Sequence, residues 1–313
     1  MTAAVSRRRA WLMAARPQTL PAAAAPVAVG TGLAVRTGVF DAIAAAFALV
    51  GALLLQIGTN FANDYYDAVR GADTETREGF TRVTAGGLIA PEAVKRAMYA
   101  TFGASVLVGT YLVYVGGVPI LAVGLASVAA GITYTGGPLP YGYRGLGDLF
   151  VFVFFGLIAV SGTYYVQAVG GAADPFPLWV PSGALPTAAV VAGLPAAGLS
   201  TAILVVNNIR DRETDAESDK RTLAVILGYR ASRTEWTAMV GLAYAIPVVF
   251  RLDGYGNAVL LPLLTAPFAV RLGKTVWGHT DGEALNPALE RTGKLLFAHS
   301  GLFAAGLAAP AVL

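Results

Sequence analysis

The stretch AIAAAFALVGALLLQIGTNFANDYYD, residues 42–67, decides the fold because it joins a long apolar run to a polar end. No polar side chain occurs in residues 42–55, and about 20 predominantly apolar residues are enough for a helix to cross a bilayer. Polar residues then recur at intervals of three or four, which places them on one face of a helix: Asn60, Asn63, Asp64 and Asp67. The stretch therefore predicts a transmembrane helix that ends in a cluster of carboxylates and amides.

Apolar runs of this kind recur along the whole chain and predict an all-α integral membrane protein. We expect nine transmembrane helices, at residues 20–35, 42–62, 93–115, 119–135, 149–168, 187–206, 236–250, 258–272 and 295–313. Residues 1–313 then form a single polytopic membrane domain, in which residues 1–15 are a basic N-terminal segment.

Two short stretches hold most of the acidic residues, since ten of the 19 Asp and Glu residues lie in residues 64–78 and 211–219. The second stretch follows the sixth predicted span, and Asn208, Asp211 and Asp215 again fall at i, i+3 and i+7. This recurrence predicts two related halves of four helices, plus one further helix, around a central cavity that opens to the cytoplasmic side.

The composition agrees with a membrane protein and excludes several classes of site. Of the 313 residues, 56% are hydrophobic and 13% are charged, about half the charged share of a soluble domain. The chain has no cysteine, which excludes disulfides, thiolate nucleophiles and cysteine-bound metal clusters. The two histidines, His279 and His299, are too far apart in sequence to suggest a metal site. A net charge of +3 with scattered basic residues speaks against nucleic-acid binding.

Basic residues predict the orientation of the helices, because cytoplasmic loops are enriched in Lys and Arg. With the N-terminus inside, 20 of the 22 basic residues fall in cytoplasmic segments, and only Arg36 and Arg251 fall outside. We therefore expect an integral protein of the prokaryotic inner membrane, with the N-terminus and both acidic stretches on the cytoplasmic side.

The two acidic stretches are interpreted as one site. Crowded carboxylates at the end of a membrane helix need a counter-charge, and Mg²⁺ binds through a few carboxylates together with water and phosphate oxygens. Basic residues suited to the terminal oxygens of a diphosphate accompany the two clusters: Arg70, Arg82, Lys220 and Arg221. Since the apolar bundle around this site could hold a hydrocarbon chain, the sequence predicts a membrane enzyme that acts on a lipid diphosphate.

At these residues the sequence resembles the UbiA superfamily of intramembrane aromatic prenyltransferases. The resemblance spans nearly the whole chain, in the segments AARPQTLPAAAAPVAVGTGLA (14–34), TNFANDYYDAVRGADT (59–74), YTGGPLPYGYRGLGD (134–148), NNIRDRETD (207–215), KRTLAVILG (220–228) and LNPALERTG (285–293). The RPQTLP, YGY and KRTLAV segments make it most like the subgroup that prenylates 1,4-dihydroxy-2-naphthoate in menaquinone synthesis. The superfamily has nine helices around a central cavity, which agrees with the number of apolar runs.

The resemblance implies a magnesium-dependent transfer of a polyprenyl group to the naphthoate, with loss of diphosphate and CO₂, giving demethylmenaquinone. It implies two magnesium ions, with manganese as a substitute, and polyprenyl diphosphate, an aromatic acid and membrane lipid as partners. The implied metal ligands are Asn63, Asp64, Asp67, Asp73, Asn208, Asp211 and Asp215. The implied catalytic residues are Asp64, Asp67, Asp211, Asp215 and Lys220. The implied substrate contacts are Arg16, Asn60, Arg70, Arg82, Tyr134, Tyr143, Arg144, Asn207 and Arg221.

Other interpretations of the same residues stay open at this point. Ordinary anchoring at the membrane interface would also explain four of the predicted contacts: Arg16, Tyr134, Tyr143 and Arg144. Another acceptor would keep the chemistry, whether 4-hydroxybenzoate, homogentisate, haem or a glyceryl phosphate lipid. A cation transporter would instead line an ion pathway with acids towards the middle of the membrane, whereas here they cluster at the inner helix ends.

Overall fold

The computed structural model describes residues 5–71, 83–170 and 175–310, and the regular elements in those ranges are all helical. The α-helices are α1 (Arg7–Ala15), α2 (Leu20–Thr37), α3 (Ala42–Arg70), α4 (Pro91–Thr133), α5 (Gly147–Phe152), α6 (Ala159–Gly170), α7 (Thr187–Val191), α8 (Leu194–Arg210), α9 (Arg212–Glu217), α10 (Leu223–Leu252), α11 (Ala266–Gly278) and α12 (Gly282–Ala308). Shorter helical segments lie between them at Pro17–Thr19, Tyr141–Tyr143, Val153–Ile158 and Asn257–Thr265. The predicted all-α class is confirmed for these ranges.

The described residues contain about seven to nine apolar helical segments, in line with the predicted nine. Seven helical stretches of the described residues are long and apolar enough to cross a membrane. One of them, α4, has 43 residues and would be about 65 Å long as a straight helix, twice the thickness of a hydrocarbon core. It breaks at Gly117 (φ 64°, ψ −152°) and so supplies two spans. The predicted ninth span falls in α12, which begins at Gly282, earlier than the predicted start at residue 295, and which is not one of those seven stretches.

Local capping fixes both ends of α3, the helix that carries the first acidic cluster. At its start, Asp41 Oδ1 accepts hydrogen bonds from the N–H groups of Ile43 and Ala44 at 2.8 and 3.0 Å. The first N–H groups of a helix have no partner within it, so an aspartate at this position is stabilising. At its end, Gly71 adopts the left-handed conformation (φ 69°) that closes many α-helices. As a result, α3 ends one turn after Asp67.

The helices pack into a bundle with three apolar cores, of which the smallest joins α3, α4 and α6. α3 lies along α4, α2 lies against α12, and α8 contacts both α10 and α12. Buried side chains of α2, α8, α10 and α12 contribute to the largest core, and those of α1, α3 and α4 to the second. Glycines permit the closest approaches, because Gly32 faces the backbone of Ala304 on α12 and Gly156 faces Ala197 on α8.

Replacing Gly156 by alanine should lower the stability of the bundle. The added Cβ would lie 2.1 Å from the Cβ and 2.4 Å from the Cα of Ala197, so two backbones would have to separate. Overpacking of this kind costs about 1–3 kcal/mol, which a thermal unfolding midpoint in detergent would report as a decrease. Gly241→Ala is the matched control, because a Cβ on this exposed glycine of α10 meets no atom within 4 Å. Equal midpoints for the two variants would contradict the prediction.

Candidate active site

Asp64 lies in the next-to-last turn of α3 and is held by a residue from beyond that helix. Asp64 is 1% exposed, and its Oδ2 accepts hydrogen bonds from the N–H group and the hydroxyl of Thr84, at 3.2 and 2.5 Å. Arg16, between α1 and α2, is close enough to attract the carboxylate electrostatically. A buried carboxylate needs such partners, and these contacts fix its orientation.

Asn60 ties the N-terminal segment to α3. Its amide nitrogen donates hydrogen bonds to the carbonyl of Ala15 and the hydroxyl of Thr19, both at 2.9 Å, and its Oδ1 accepts one from Gln56 at 3.3 Å. Ala15 and Thr19 flank Arg16, which adopts a left-handed conformation (φ 51°) that is uncommon for a residue with a side chain. These bonds therefore hold the turn that places Arg16 near Asp64. The predicted substrate contact of Asn60 stays a prediction.

Tyr143 connects the two acidic clusters. It lies in the turn before α5, and its hydroxyl donates a hydrogen bond of 2.8 Å to Oδ1 of Asp67 in the last turns of α3. The guanidinium of Arg70 lies 5.6 Å and the ammonium of Lys220 lies 5.7 Å from the centre of its ring. Lys220 in turn forms an ion pair of 3.1 Å with Asp215 in α9. The structure thus brings Asp67 and Asp215, which are 148 positions apart in the sequence, close to the same tyrosine. The group formed by Asp67, Arg70, Tyr143, Asp215 and Lys220 is called the junction below.

Asp211 is held by a residue that the sequence analysis used only as a topological charge. Arg210 donates hydrogen bonds to both of its carboxylate oxygens at 2.7 Å, and both side chains are fully buried. The same guanidinium bonds Oδ1 of Asn207 and Oδ1 of Asn286 on α12, each at 2.8 Å. Asn208 is also buried. The only sequence signal for this pairing is the arginine that precedes the acid.

Four predicted site residues are left, namely Asp73, Arg82, Arg144 and Arg221. Asp73 and Arg82 fall outside the described residues. Arg144 and Arg221 are exposed, and neither guanidinium forms a hydrogen bond or ion pair with another residue in the described ranges. The backbone N–H of Arg221 does contribute, because it donates a 3.0 Å hydrogen bond to the carbonyl of Tyr143. Their predicted roles with substrate stay predictions.

An apolar cavity of about 710 Å³ begins beside the first acidic cluster. Asn60, Asn63 and Tyr134 line its polar end, and the hydroxyl of Thr135 donates a 3.0 Å hydrogen bond to Asn63 there. From this end the cavity extends between α2, α3, α4, α5 and α6, lined mainly by aliphatic side chains and glycines, as far as Ile120 next to the break in α4. A cavity with a polar mouth and apolar walls suits an amphiphile whose charged group stays at the mouth.

Aromatic rings line the polar end of the cavity. The rings of Tyr134 and Tyr141 meet edge to face at 5.3 Å, and Tyr141 stacks on Phe150 at 4.0 Å. Burial raises the pKa of Tyr134 well above its usual range, and the neighbouring carboxylate of Asp148 raises it further. Burial also raises the pKa of Tyr141. Both phenols are therefore neutral, and their ring faces can stabilise a positive charge.

The donor set of the junction consists of oxygen atoms, with cations on both sides. Within residues 5–71, 83–170 and 175–310, no three His, Asp or Glu side chains are grouped closely enough to bind one metal ion by themselves. Carboxylates at the ends of α3 and α8–α9 can hold a hard divalent cation if a bound phosphate supplies further oxygens. Arg70 and Lys220 are placed to meet the remaining phosphate charge.

Comparison with known proteins agrees with this geometry. The sequence profile of the UbiA prenyltransferase family matches residues 23–300. The chain is 40% identical to a 1,4-dihydroxy-2-naphthoate octaprenyltransferase of Escherichia coli, over 97% of this chain and 96% of that protein. It is 38% identical to the protein of the same name from Mycobacterium tuberculosis, over 90% and 91% of the two chains.

Solved structures of low sequence identity share the fold. A UbiA homologue from Aeropyrum pernix superposes with a TM-score of 0.65 at 14% identity, covering 90% of this chain and 96% of that one. A UbiA homologue from Archaeoglobus fulgidus bound to GPP and Mg²⁺ superposes with a TM-score of 0.60 at 14% identity, covering 94% and 99%. These likenesses support the helical architecture.

Proposed function

The chain belongs to the UbiA prenyltransferase family, and we propose that it transfers the polyprenyl group of a polyprenyl diphosphate to 1,4-dihydroxy-2-naphthoate. Diphosphate and CO₂ leave, and the prenylated 1,4-naphthohydroquinone forms, which is the reduced form of demethylmenaquinone. The observation that carries this proposal is the junction at Tyr143, which joins two carboxylate-bearing helix ends. Asn63, one turn before Asp67 on α3, lines the polar end of the apolar cavity. The names of the two bacterial relatives support the naphthoate as acceptor over the other aromatic acids.

We further propose that carboxylates from both clusters hold magnesium together with the diphosphate. Asp64 and Asp67 would contribute from α3, Asp215 from α9 and Asp211 from the end of α8, with Asn63 and Asn208 assisting. The donors fit, because Mg²⁺ prefers oxygen ligands and commonly uses one or two carboxylates plus substrate phosphates. When bound, the metal neutralises the diphosphate and makes it a leaving group. The complex of the A. fulgidus homologue with GPP and Mg²⁺ supports this assignment.

The protein's own side chains then divide the remaining work. Lys220 and Arg70 lie beside Tyr143, where they can take up negative charge as the allylic C–O bond breaks. Tyr134 and Tyr141 present neutral rings to the same end of the cavity, where the allylic cation forms. The electron-rich naphthoate ring forms the new C–C bond at the carbon that carries its carboxylate, which leaves as CO₂. The apolar walls hold the polyprenyl chain and exclude water.

The orientation of the site follows from the distribution of basic residues. We place the N-terminus and the acidic helix ends on the cytoplasmic side of a prokaryotic inner membrane, since 20 of the 22 basic residues then face inwards. Both substrates would meet at that side, with the diphosphate at the mouth and the hydrocarbon chain inside the bundle.

The direct test follows carboxyl-labelled 1,4-dihydroxy-2-naphthoate with a polyprenyl diphosphate and Mg²⁺ in the purified protein. We expect a prenylated naphthohydroquinone, detected as its quinone after oxidation in air, and labelled CO₂ in equal amounts, and neither product when EDTA removes the metal. Parallel reactions contain 4-hydroxybenzoate or homogentisate. Prenylation of one of those acceptors, without product from the naphthoate, would overturn the acceptor assignment.

Replacing Tyr143 by phenylalanine should slow prenyl transfer about tenfold, because a hydrogen bond to a charged group is lost while the ring remains. The phenylalanine ring can still lie near Arg70 and Lys220, so the cationic contacts persist. Steady-state rates at saturating substrate measure the effect. Tyr114→Phe is the control, since this tyrosine is 60% exposed and lies on the outer part of α4. A Tyr143→Phe rate equal to that of the control would show that the bond to Asp67 is not needed.

A further inference from the structure

Asn286 lies in a segment to which the proposed function assigns no role. It belongs to LNPALERTG, residues 285–293, in the first turns of α12, far in sequence from both acidic clusters. Its half-buried side chain accepts a hydrogen bond of 2.8 Å from Nη1 of Arg210, which is 76 positions earlier in the chain. The side chain of Asn286 therefore connects α12 to the second acidic cluster.

The other two nitrogens of the Arg210 guanidinium also donate hydrogen bonds. Nε and Nη2 of Arg210 donate to the two oxygens of Asp211, each at 2.7 Å, and Nη2 also donates to Asn207 at 2.8 Å. A guanidinium is planar, so two parallel bonds to one carboxylate fix the relative orientation of both groups. Within the described residues, the third nitrogen, Nη1, donates a hydrogen bond to Asn286 of α12 and to no other side chain.

This arrangement links a rigid helix to one carboxylate of the site. The Arg210 side chain is 1% exposed, and a buried charge that loses a partner is costly. Without the Asn286 oxygen, Nη1 loses the partner that α12 gives it, and a rotation of the guanidinium towards another acceptor would break at least one of its two bonds to Asp211. The oxygen that α12 supplies thus helps to fix the orientation of Asp211, beside the 3.4 Å hydrogen bond that Asp211 accepts from Asn207.

We propose that Asn286 is a positioning residue for prenyl transfer, which acts by anchoring Arg210 so that Asp211 keeps the orientation needed to bind the metal diphosphate. The inference rests on the proposed function, because Asp211 is one of the carboxylates assigned there to magnesium. It also predicts where the effect is confined. Binding of magnesium and diphosphate depends on Asn286, whereas binding of the naphthoate does not.

The test uses the full-length protein in detergent with Mg²⁺ and inorganic diphosphate as the probe. The thermal unfolding midpoint is followed against Mg²⁺ concentration at fixed diphosphate, which reports binding without turnover. For Asn286→Ala we expect about a tenfold higher Mg²⁺ concentration at half-maximal stabilisation, the usual loss for one hydrogen bond to a charged group. The KM for the naphthoate should stay within about twofold of the wild-type value. Asn286→Asp keeps the acceptor oxygen at the same position and should restore the wild-type Mg²⁺ dependence.

Asn257→Ala is the matched control. Asn257 accepts a 2.6 Å hydrogen bond from Nε of Arg251, so this variant breaks the same type of pair at the opposite end of the bundle. Wild-type Mg²⁺ dependence in Asn286→Ala would overturn the inference. If that variant does not fold, Arg210→Lys keeps the charge but lacks the planar guanidinium that bonds both oxygens of Asp211 and Asn286 from three nitrogens. Unchanged Mg²⁺ dependence in Arg210→Lys would overturn the inference equally. Failure of the wild-type protein itself to respond to Mg²⁺ and diphosphate would instead refute the metal site of the proposed function.

Discussion

Asp67→Asn should abolish prenyl transfer by the purified protein, with a loss of about a thousandfold or more in kcat. The substitution keeps an oxygen at the position where Tyr143 donates its 2.8 Å hydrogen bond, so the junction between the clusters can remain assembled. What disappears is the negative charge, and a neutral amide is a far weaker ligand for a hard cation. Single-turnover assays with saturating Mg²⁺ and both substrates measure the loss.

Asp281→Asn provides the matched control for the removal of one carboxylate. Asp281 caps α12 by accepting a 2.9 Å hydrogen bond from the N–H of Ala284, and asparagine caps a helix about as well as aspartate. This variant should turn over at the wild-type rate. The proposed role of the carboxylates would be refuted if Asp67→Asn kept more than about a tenth of that rate with an unchanged unfolding midpoint.

Local rules were enough to predict the helices and one face of the site. The apolar runs predicted the spans because the length needed to cross a bilayer is set by the 1.5 Å rise of a helix. Helical spacing also grouped Asn60, Asn63, Asp64 and Asp67, which all lie in α3. Each of these inferences needs only residues within one turn or one span of each other.

The partners of the carboxylates could not be predicted in the same way, because they come from distant segments or from a break in a helix. Thr84, which holds Asp64, follows it by 20 positions, and Tyr143 follows Asp67 by 76. The pairing of Arg210 with Asp211 contradicts the usual helical pattern, in which adjacent residues face different directions. It forms because α8 ends at Arg210 and Asp211 departs from helical geometry (φ −90°, ψ 5°).

The cavity was predicted only in outline, because its walls combine residues from five helices. The residues that line the cavity include Gly51, Gly109, Gly124 and Gly162. Side chains at these four positions would fill the space. The absence of side chains at these positions leaves room for a ligand without breaking any helix. The glycines therefore offer a direct way to test what the cavity holds.

Gly124→Leu should exclude long polyprenyl diphosphates while leaving short ones as substrates. Gly124 lies nine residues before the end of α4 at Thr133, about 14 Å along the helix from the polar mouth. A Cβ there meets no atom within 4 Å, so the leucine is accommodated without strain and occupies the cavity instead. Geranyl diphosphate is too short to reach this depth. We expect kcat/KM for octaprenyl diphosphate to decrease about a hundredfold or more, and that for geranyl diphosphate to change little.

Gly103→Leu on the same helix separates obstruction of the cavity from a general effect of leucine. Gly103 is exposed and does not line the cavity, and a Cβ there also meets no atom within 4 Å, so this variant should keep both activities. Equal losses for the two diphosphates in Gly124→Leu would mean that the substitution disturbs the junction itself. Equal retention of both would place the hydrocarbon chain outside this cavity, because a leucine cannot share the space with it. The ratio of the two kcat/KM values thus decides where the isoprenoid chain binds, independently of which aromatic acceptor is used.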